Sequence, residues 1–263
     1  MEKFIFAGDT ATRYREEGNG EKCILLLHGY MESIDVWDEL FDVLKKEYRV
    51  IAFDLPGHGI SEIKSETHTM NFLAECGFHI LKDLNIEKCN VIGHSMGGYV
   101  ALAFAKNYPE MCESITLLHS SPFSDTEERK ASRQKEIDLI KAGKKEMFAR
   151  VNPGKCFAAK NRKKQLEAIE FMCEQALITE DEGAIALLNG IMQREEMNDM
   201  LHNLAAKQLF VFGKHDEFIP VEYAEQITEK HPQAQVLWLE DSGHMGFIEE
   251  TELFTSELKS FLQ

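Results

Sequence analysis

The sequence predicts an α/β fold, in which a mostly parallel sheet of eight strands is flanked by helices and carries an inserted helical cap. Short apolar runs alternate with longer helical patterns, which is typical of parallel strands joined by helical crossovers. One long stretch breaks that alternation and contains only helical patterns. The chain has 263 residues, of which 44% are hydrophobic, so it can bury a large core as a single domain.

The strand predictions rest on apolar runs that are short and bounded by turn residues. Six of these runs are clear, and two earlier segments predict an opening antiparallel hairpin. The clear strands are Cys23–His28, Tyr48–Asp54, Cys89–Gly93, Ser114–His119, Gln208–Gly213 and Gln235–Glu240, and the hairpin pairs Lys3–Phe6 with Thr12–Glu16.

Helical patterns fill most of the segments between these strands. Pro109 follows the third of them and stops it, because proline cannot continue a helix. The predicted helices of the core are Asp35–Lys46, Asn71–Leu84, Met96–Asn107, Val221–Lys230 and Glu252–Leu262.

The stretch that breaks the alternation, residues 122–206, contains no convincing strand. Because it is inserted between two strands, we expect it to form a helical cap over one edge of the sheet. Residues 1–121 and 207–263 then form the core. The charged amphipathic patterns of the cap predict helices at Glu127–Ala142, Lys163–Leu177 and Glu182–Arg194.

The charge balance excludes some classes of partner. The formal net charge is -16, from 45 acidic and 29 basic residues, and such a surface repels phosphate backbones and anionic membranes. We therefore expect no nucleic-acid partner. The longest apolar runs, such as Cys23–Leu27, are far too short to cross a bilayer, so no membrane insertion is expected either.

The N-terminal segment and the cysteines indicate a compartment. Residues 1–20 are mostly polar and contain no apolar stretch of signal-peptide length. The six cysteines include no C-x-x-C pair, and three of them lie in or beside predicted strands as small core residues. A cytoplasmic location is expected, and the oligomeric state stays open.

The strongest local motif is Gly-His-Ser-Met-Gly-Gly, which spans residues 93–98. An apolar strand leads into it and an alanine-rich helix leads out, which is the context of a nucleophile elbow. Glycines permit the tight turn, and the turn exposes the hydroxyl at a helix N-terminus. Ser95 is the predicted nucleophile, and it needs a base and an orienting group.

The predicted base is His244, which lies in a small-residue turn just after a late strand. His202 and His231 fall in charged helical patterns, so we expect both on the surface. His119 ends a strand, and a role in lining the pocket and a plain structural role are equally compatible with its position. His215 merely neighbours the candidate acid.

The predicted acid is Asp216, which follows the strand that ends at Gly213. A helix-capping or turn aspartate is the structural alternative. The rivals Glu217 and Asp241 lack the same position relative to a strand end.

Taken together, these motifs resemble those of the α/β-hydrolase fold superfamily over nearly the whole chain. The matching features are His28-Gly29, the segment Asp54–Ser61, the elbow at Ser95, and the order Ser95, Asp216, His244. The resemblance implies that the backbone N–H groups of Tyr30 and Met96 form an oxyanion hole. It implies structural roles for His28 and for Asp54–Ser61. No cofactor and no metal are expected, since no ligand spacing such as H-x-x-E-H occurs.

The implied reaction is two-step acyl transfer to water, and hydrolysis of a small carboxylic ester is its simplest form. Lactone, thioester, amide or carbon–carbon bond cleavage can run on the same three residues, and a ligand receptor with slow hydrolysis is a further alternative. A serine at the elbow argues against dehalogenases and epoxide hydrolases. Substrate choice is expected to lie in the cap. The acidic surface predicts slow capture of highly anionic substrates unless a local lysine or arginine compensates.

Overall fold

Eight strands form one sheet in the computed structural model, which describes residues 3–263; residues 1 and 2 of the predicted core lie outside the described part. The strand order across the sheet is β1-β2-β4-β3-β5-β6-β7-β8. The strands are β1 (Lys3–Ala7), β2 (Thr10–Glu17), β3 (Cys23–Leu27), β4 (Arg49–Phe53), β5 (Cys89–His94), β6 (Cys112–Leu118), β7 (Lys207–Gly213) and β8 (Gln235–Leu239).

The pairing directions confirm the predicted mostly parallel sheet. β1 pairs antiparallel with β2, and β2 pairs antiparallel with β4. Every other neighbouring pair from β4 to β8 is parallel. Since parallel strands end at the same edge of a sheet, the loops after β3, β5, β6, β7 and β8 meet there.

Helices cover both faces of the sheet, and two short 3₁₀ helices lie at Ile34–Trp37 and Pro109–Met111. The helices of the core are α1 (Asp38–Leu44), α2 (Met70–Asp83), α3 (Met96–Asn107), α10 (Val221–Lys230), α11 (Gly246–Glu249) and α12 (Thr251–Leu262). The helices of the inserted stretch are α4 (Glu127–Lys141), α5 (Lys145–Ala149), α6 (Asn152–Cys156), α7 (Leu166–Ile178), α8 (Asp181–Met192) and α9 (Asn198–Asn203).

Strand β3 shows how the two faces are built. Its side chains alternate, so Leu25 and Leu27 pack against α2 and α3, whereas Ile24 and Leu26 pack against α1 and α12. All of β3 is buried, which explains why it reads in the sequence as an unbroken apolar run.

Two sequence predictions need correction. The predicted helix Asp35–Lys46 is divided into a 3₁₀ turn and the shorter α1. His231 was predicted on the surface and is buried, with 1% of its area exposed. It lies at the end of α10, where its ring packs 5.6 Å from the Phe210 ring and its Nε2 bonds Asn198 Oδ1 at 2.7 Å. A helical pattern alone does not reveal that residues from other elements cover this histidine.

Within residues 3–263, no helix has the length and apolar character that a bilayer span requires.

The inserted stretch contacts the core where α8 crosses the loop before α2. Gly190 lies so close to this loop that a Cβ there would be 1.7 Å from the carbonyl oxygen of His68. The His68 N–H also donates to the Ala186 carbonyl at 2.9 Å. The close backbone approach therefore requires glycine at position 190.

We expect Gly190→Ala to lower the free energy of unfolding by about 2 kcal/mol, because the added methyl forces the two backbones apart. Urea unfolding with linear extrapolation measures this. Gly154→Ala is the matched control, since a Cβ at Gly154 in α6 meets nothing within 4 Å. Equal stability of the two variants would contradict the tight contact between α8 and the core.

Candidate active site

Ser95 lies in a sharp turn between β5 and α3. Its backbone has φ 50° and ψ -115°, a strained conformation for a residue with a side chain. The turn is tight enough that a Cβ on Gly93 would be 2.2 Å from the Gly97 carbonyl oxygen. The sequence motif therefore folds as the predicted elbow, and it directs Ser95 into a cavity.

This cavity has a volume of about 200 Å³ and lies between the carboxyl edge of the sheet and the inserted helices. Ser95, His119 and His244 contribute to its floor. Tyr30 and Met96 line it as well. The apolar part of its wall includes Phe148, Met172, Ile191, Phe218 and Ile219.

Asp216 is buried behind His119 and His244, which line the cavity, and 5% of its area is exposed. Its Oδ1 accepts from the N–H groups of Phe218 at 2.8 Å and Ile219 at 3.0 Å. Its Oδ2 accepts from His244 Nδ1 at 2.8 Å and from His119 Nδ1 at 3.2 Å. Burial alone raises the pKa of Asp216, but His244 and these hydrogen bonds outweigh it and hold the pKa well below its usual range. The group is a carboxylate at neutral pH.

Hydrogen bonds hold both the ring and the backbone of His244. The bond from Nδ1 to Asp216 leaves Nε2 to face the cavity, and the Phe218 ring lies 4.9 Å from the imidazole. The His244 N–H donates to the Cys156 carbonyl of the inserted stretch at 2.6 Å. Ser95 and His244 both line the cavity, and in the described part of the chain no hydrogen bond joins their side chains. Such catalytic contacts are often long when no substrate is present.

His119 contacts the acid, a role that the sequence did not indicate. It follows β6 with φ 49°, and its Nε2 accepts from the Gly246 N–H at 3.1 Å. This bond leaves the ring proton on Nδ1, which donates to Asp216. Burial lowers the pKa of His119 to about 4. His119 is therefore a neutral second donor to the Asp216 carboxylate.

The atoms of His119, Asp216 and His244 lie close enough together to hold a metal ion. The hydrogen-bond pattern favours a different role. Because the Gly246 N–H occupies Nε2 of His119, its Nδ1 carries a proton and cannot act as a ligand in this arrangement.

A second buried pair, Glu32 and His94, lies beside the base. His94 Nδ1 contacts Glu32 Oε2 at 3.1 Å, and His94 Nε2 donates to the His244 carbonyl at 2.9 Å. Burial opposes ionisation of both groups, but their mutual attraction outweighs it, so the pKa of His94 is raised and that of Glu32 is lowered. Through the bond from Nε2, His94 therefore holds the backbone of the residue predicted as the base.

The N–H groups of Tyr30 and Met96 were predicted from the resemblance as an oxyanion hole. Both residues line the cavity. Neither N–H donates a hydrogen bond to any residue in the described part of the chain. Met96 begins α3, so its N–H points out of the helix start without an intrahelical partner. Both donors are available to a ligand.

The remaining candidates lie elsewhere. Glu217 pairs with Arg162 at 2.7 Å, and Asp241 pairs with Lys160, both at exposed positions. His202 and His215 are exposed. His28 Nε2 accepts from the Leu55 N–H at 3.0 Å and so holds the loop after β4, in agreement with the structural role expected of it.

Sequence reasoning missed the charged residues of α4 that line the cavity, namely Arg129, Arg133 and Glu136. Their spacing of four and three residues places them on one face of the helix. That spacing is visible in the sequence, but only the packing of α4 shows which way the face points.

Known proteins share this architecture. Residues 22–140 match the profile of a family described as alpha/beta hydrolase fold. The chain is 31% identical over 95% of its length to an acetyltransferase component of the acetoin cleaving system of Cupriavidus necator, and spans 66% of that protein's length. It is 25% identical to a pimeloyl-[acyl-carrier protein] methyl ester esterase of Aeromonas hydrophila, over 91% of this chain and 94% of that one. An esterase from Thermogutta terrifontis superposes with a TM-score of 0.93 at 26% identity, covering 100% and 98% of the two chains.

The burial of His119 predicts a pH effect on stability. In the unfolded chain His119 has a pKa near its ordinary value of 6.5, whereas in the folded protein its pKa is about 4. The unfolded state therefore binds more protons in this window, and the free energy of unfolding falls as the pH is lowered through it.

His119→Asn removes this titration while keeping an amide donor, and asparagine tolerates the positive φ. Between pH 7 and pH 5 the variant should lose about 2 kcal/mol less unfolding free energy than the wild type. Urea unfolding of both proteins at pH 7 and at pH 5 measures this difference. Because the comparison is a difference between two proteins, titrating groups that do not interact with His119 cancel. An equal loss in both proteins would show that His119 does not titrate between its folded and unfolded states.

Proposed function

Since the chain belongs to the α/β-hydrolase fold superfamily, we propose that it is a serine hydrolase that cleaves a small carboxylic ester through an acyl-enzyme on Ser95. One observation carries this proposal. His244 donates to the buried Asp216 carboxylate at 2.8 Å, beneath the cavity that Ser95 also lines. That arrangement supplies a nucleophile, a base and an orienting charge in one place.

The first step forms the acyl-enzyme. Ser95 Oγ bonds to the ester carbonyl carbon while its proton passes to His244 Nε2. Asp216 stabilises the imidazolium that results and keeps the Nδ1 proton in place. The protonated Nε2 then gives its proton to the alcohol oxygen as the carbon–oxygen bond breaks.

The negative charge that develops on the carbonyl oxygen needs donors that are already in place. The free N–H groups of Tyr30 and Met96 fit this role, and the N-terminus of α3 adds the positive end of a helix dipole. Removing one donor of this kind typically costs about 10²–10³ in turnover. In the second step water adds to the acyl carbon while His244 takes its proton, and His244 returns that proton to Ser95 Oγ as the bond between Oγ and the acyl carbon breaks.

The choice of an ester bond is supported by the relatives. The Thermogutta terrifontis and Aeromonas hydrophila proteins are both described as esterases. A small-molecule substrate fits a cavity of about 200 Å³. A cytoplasmic location stays a prediction from the sequence.

We expect Ser95→Ala to abolish hydrolysis of p-nitrophenyl acetate and butyrate at pH 7.5, since no other group can form the acyl-enzyme. The wild type should show a burst of p-nitrophenol when acylation is faster than deacylation. Ser132→Ala is the control, because Ser132 is exposed on α4. Octanoate esters extend the series and report the depth of the cavity.

Full activity in Ser95→Ala would overturn the mechanism. Absence of turnover in the wild type on every ester would instead reject ester hydrolysis, and lactones and diketones would then be tried on the same residues.

A further inference from the structure

One face of α4 places charge in the cavity. Arg129, Arg133 and Glu136 line it, and Ile137 and Ile140, each four residues after one of these charged residues, pack beside them into the apolar cluster of the inserted stretch. The helix therefore presents a polar stripe to the same space that Ser95 and His244 reach.

Arg133 is held in place by a buried carboxylate. Asp125, whose side chain is fully buried, accepts from Arg133 Nε at 2.6 Å and Nη2 at 3.3 Å. The same carboxylate pairs with Arg194 Nη1 at 2.7 Å. One negative charge is thus shared between two guanidinium groups, and Arg133 Nη1 has no partner in the described part of the chain.

Arg129 lies nearer to the base. Its guanidinium is 5.2 Å from the Tyr223 ring, and its Nη2 is 3.5 Å from the Phe218 carbonyl. The Phe218 ring in turn lies 4.9 Å from the His244 ring. Among residues 3–263 no carboxylate lies within ion-pair distance of Arg129, so its charge is unmatched.

The other charged groups around the cavity do not cancel this excess. Burial raises the pKa of Glu136 despite the nearby Arg133. Even when Glu136 is ionised, Arg129, Arg133 and Arg194 outnumber Asp125 and Glu136. Glu32 is matched by His94, and Asp216 lies behind His244. The Tyr30 hydroxyl is buried in the same cavity wall and lies beside the Glu136 carboxyl.

We propose that this stripe binds a carboxylate of the substrate, so that the protein cleaves short esters that carry a free carboxylate in preference to neutral esters of the same length. Guanidinium groups bind carboxylates in a two-pronged geometry, which is open to Arg129 because no carboxylate of the described residues pairs with it, and Arg133 adds the donor at its Nη1. The local positive charge also offsets the repulsion that a net charge of -16 exerts on an anion. This inference rests on the proposed ester hydrolysis.

Two matched substrate pairs test it. The first pair is mono-p-nitrophenyl glutarate and p-nitrophenyl valerate, which differ in a carboxylate on the acyl part. The second is 4-carboxyphenyl butyrate and phenyl butyrate, in which the carboxylate is on the alcohol part. For each pair, the quantity measured is the ratio of kcat/KM for the anionic ester to that for the neutral ester.

In at least one pair we expect Arg129→Gln to lower this ratio by about tenfold or more relative to the wild type, the effect of losing one charge-assisted contact. Arg150→Gln is the control, because Arg150 is exposed and pairs with Glu146 on α5, and it changes the net charge equally. It should leave the ratio unchanged. Unchanged ratios in Arg129→Gln for both pairs would overturn the carboxylate site.

A binding experiment separates this inference from the proposed reaction. Calorimetry of glutarate with Ser95→Ala should give binding that Arg129→Gln, added to the same protein, weakens by about tenfold. If no ester is hydrolysed but glutarate binds in this way, the reaction is wrong and the carboxylate site stands. If esters are hydrolysed and glutarate does not bind, the carboxylate site is wrong.

Discussion

The buried charge of Asp216 constrains the whole site. A carboxylate cannot remain ionised away from water unless hydrogen bonds replace its hydration. Here the donors come from three separate parts of the chain: the loop after β7 gives two N–H groups, the end of β6 gives His119, and the loop after β8 gives His244. Satisfying one charge therefore fixes the carboxyl ends of three neighbouring strands relative to one another. The same bonds that stabilise the carboxylate set the orientation of the imidazole.

The backbone of His244 is held as firmly as its ring. Its carbonyl accepts from His94, which contacts Glu32 through its other ring nitrogen, and its N–H donates to the Cys156 carbonyl. Glu249 reinforces this contact, since its carboxylate accepts from the N–H groups of Ala158 and Gly243. The inserted stretch is thus bonded to the loop that carries the base, so the position of the base depends on the insertion as well as on the sheet.

The features predicted correctly from the sequence are those that a short continuous segment determines. The elbow at Ser95, the eight strands and the loop positions of Asp216 and His244 follow from apolar runs and the turn residues after them. What sequence reasoning missed depends on partners distant in sequence. His119 and Asp216 are 97 residues apart, and the contact between them requires β6 and β7 to be neighbours. His231 was placed wrongly for the same reason, because Phe210 and Asn198 cover it from other elements.

The chain as a whole is negatively charged, whereas the face of α4 that lines the cavity carries two arginines. Most exposed acidic residues keep the surface negative, whereas the face of α4 turned inward places Arg129 and Arg133 above Ser95. Asp125 forms ion pairs with both Arg133 and Arg194 and so fixes their positions. Its single negative charge neutralises only one of the two positive charges. Such a preorganised cation loses little freedom when an anion arrives. The groups proposed for the reaction lie mainly in the core, where the sheet fixes them, and the charge that distinguishes one ester from another lies on a single helix of the insertion.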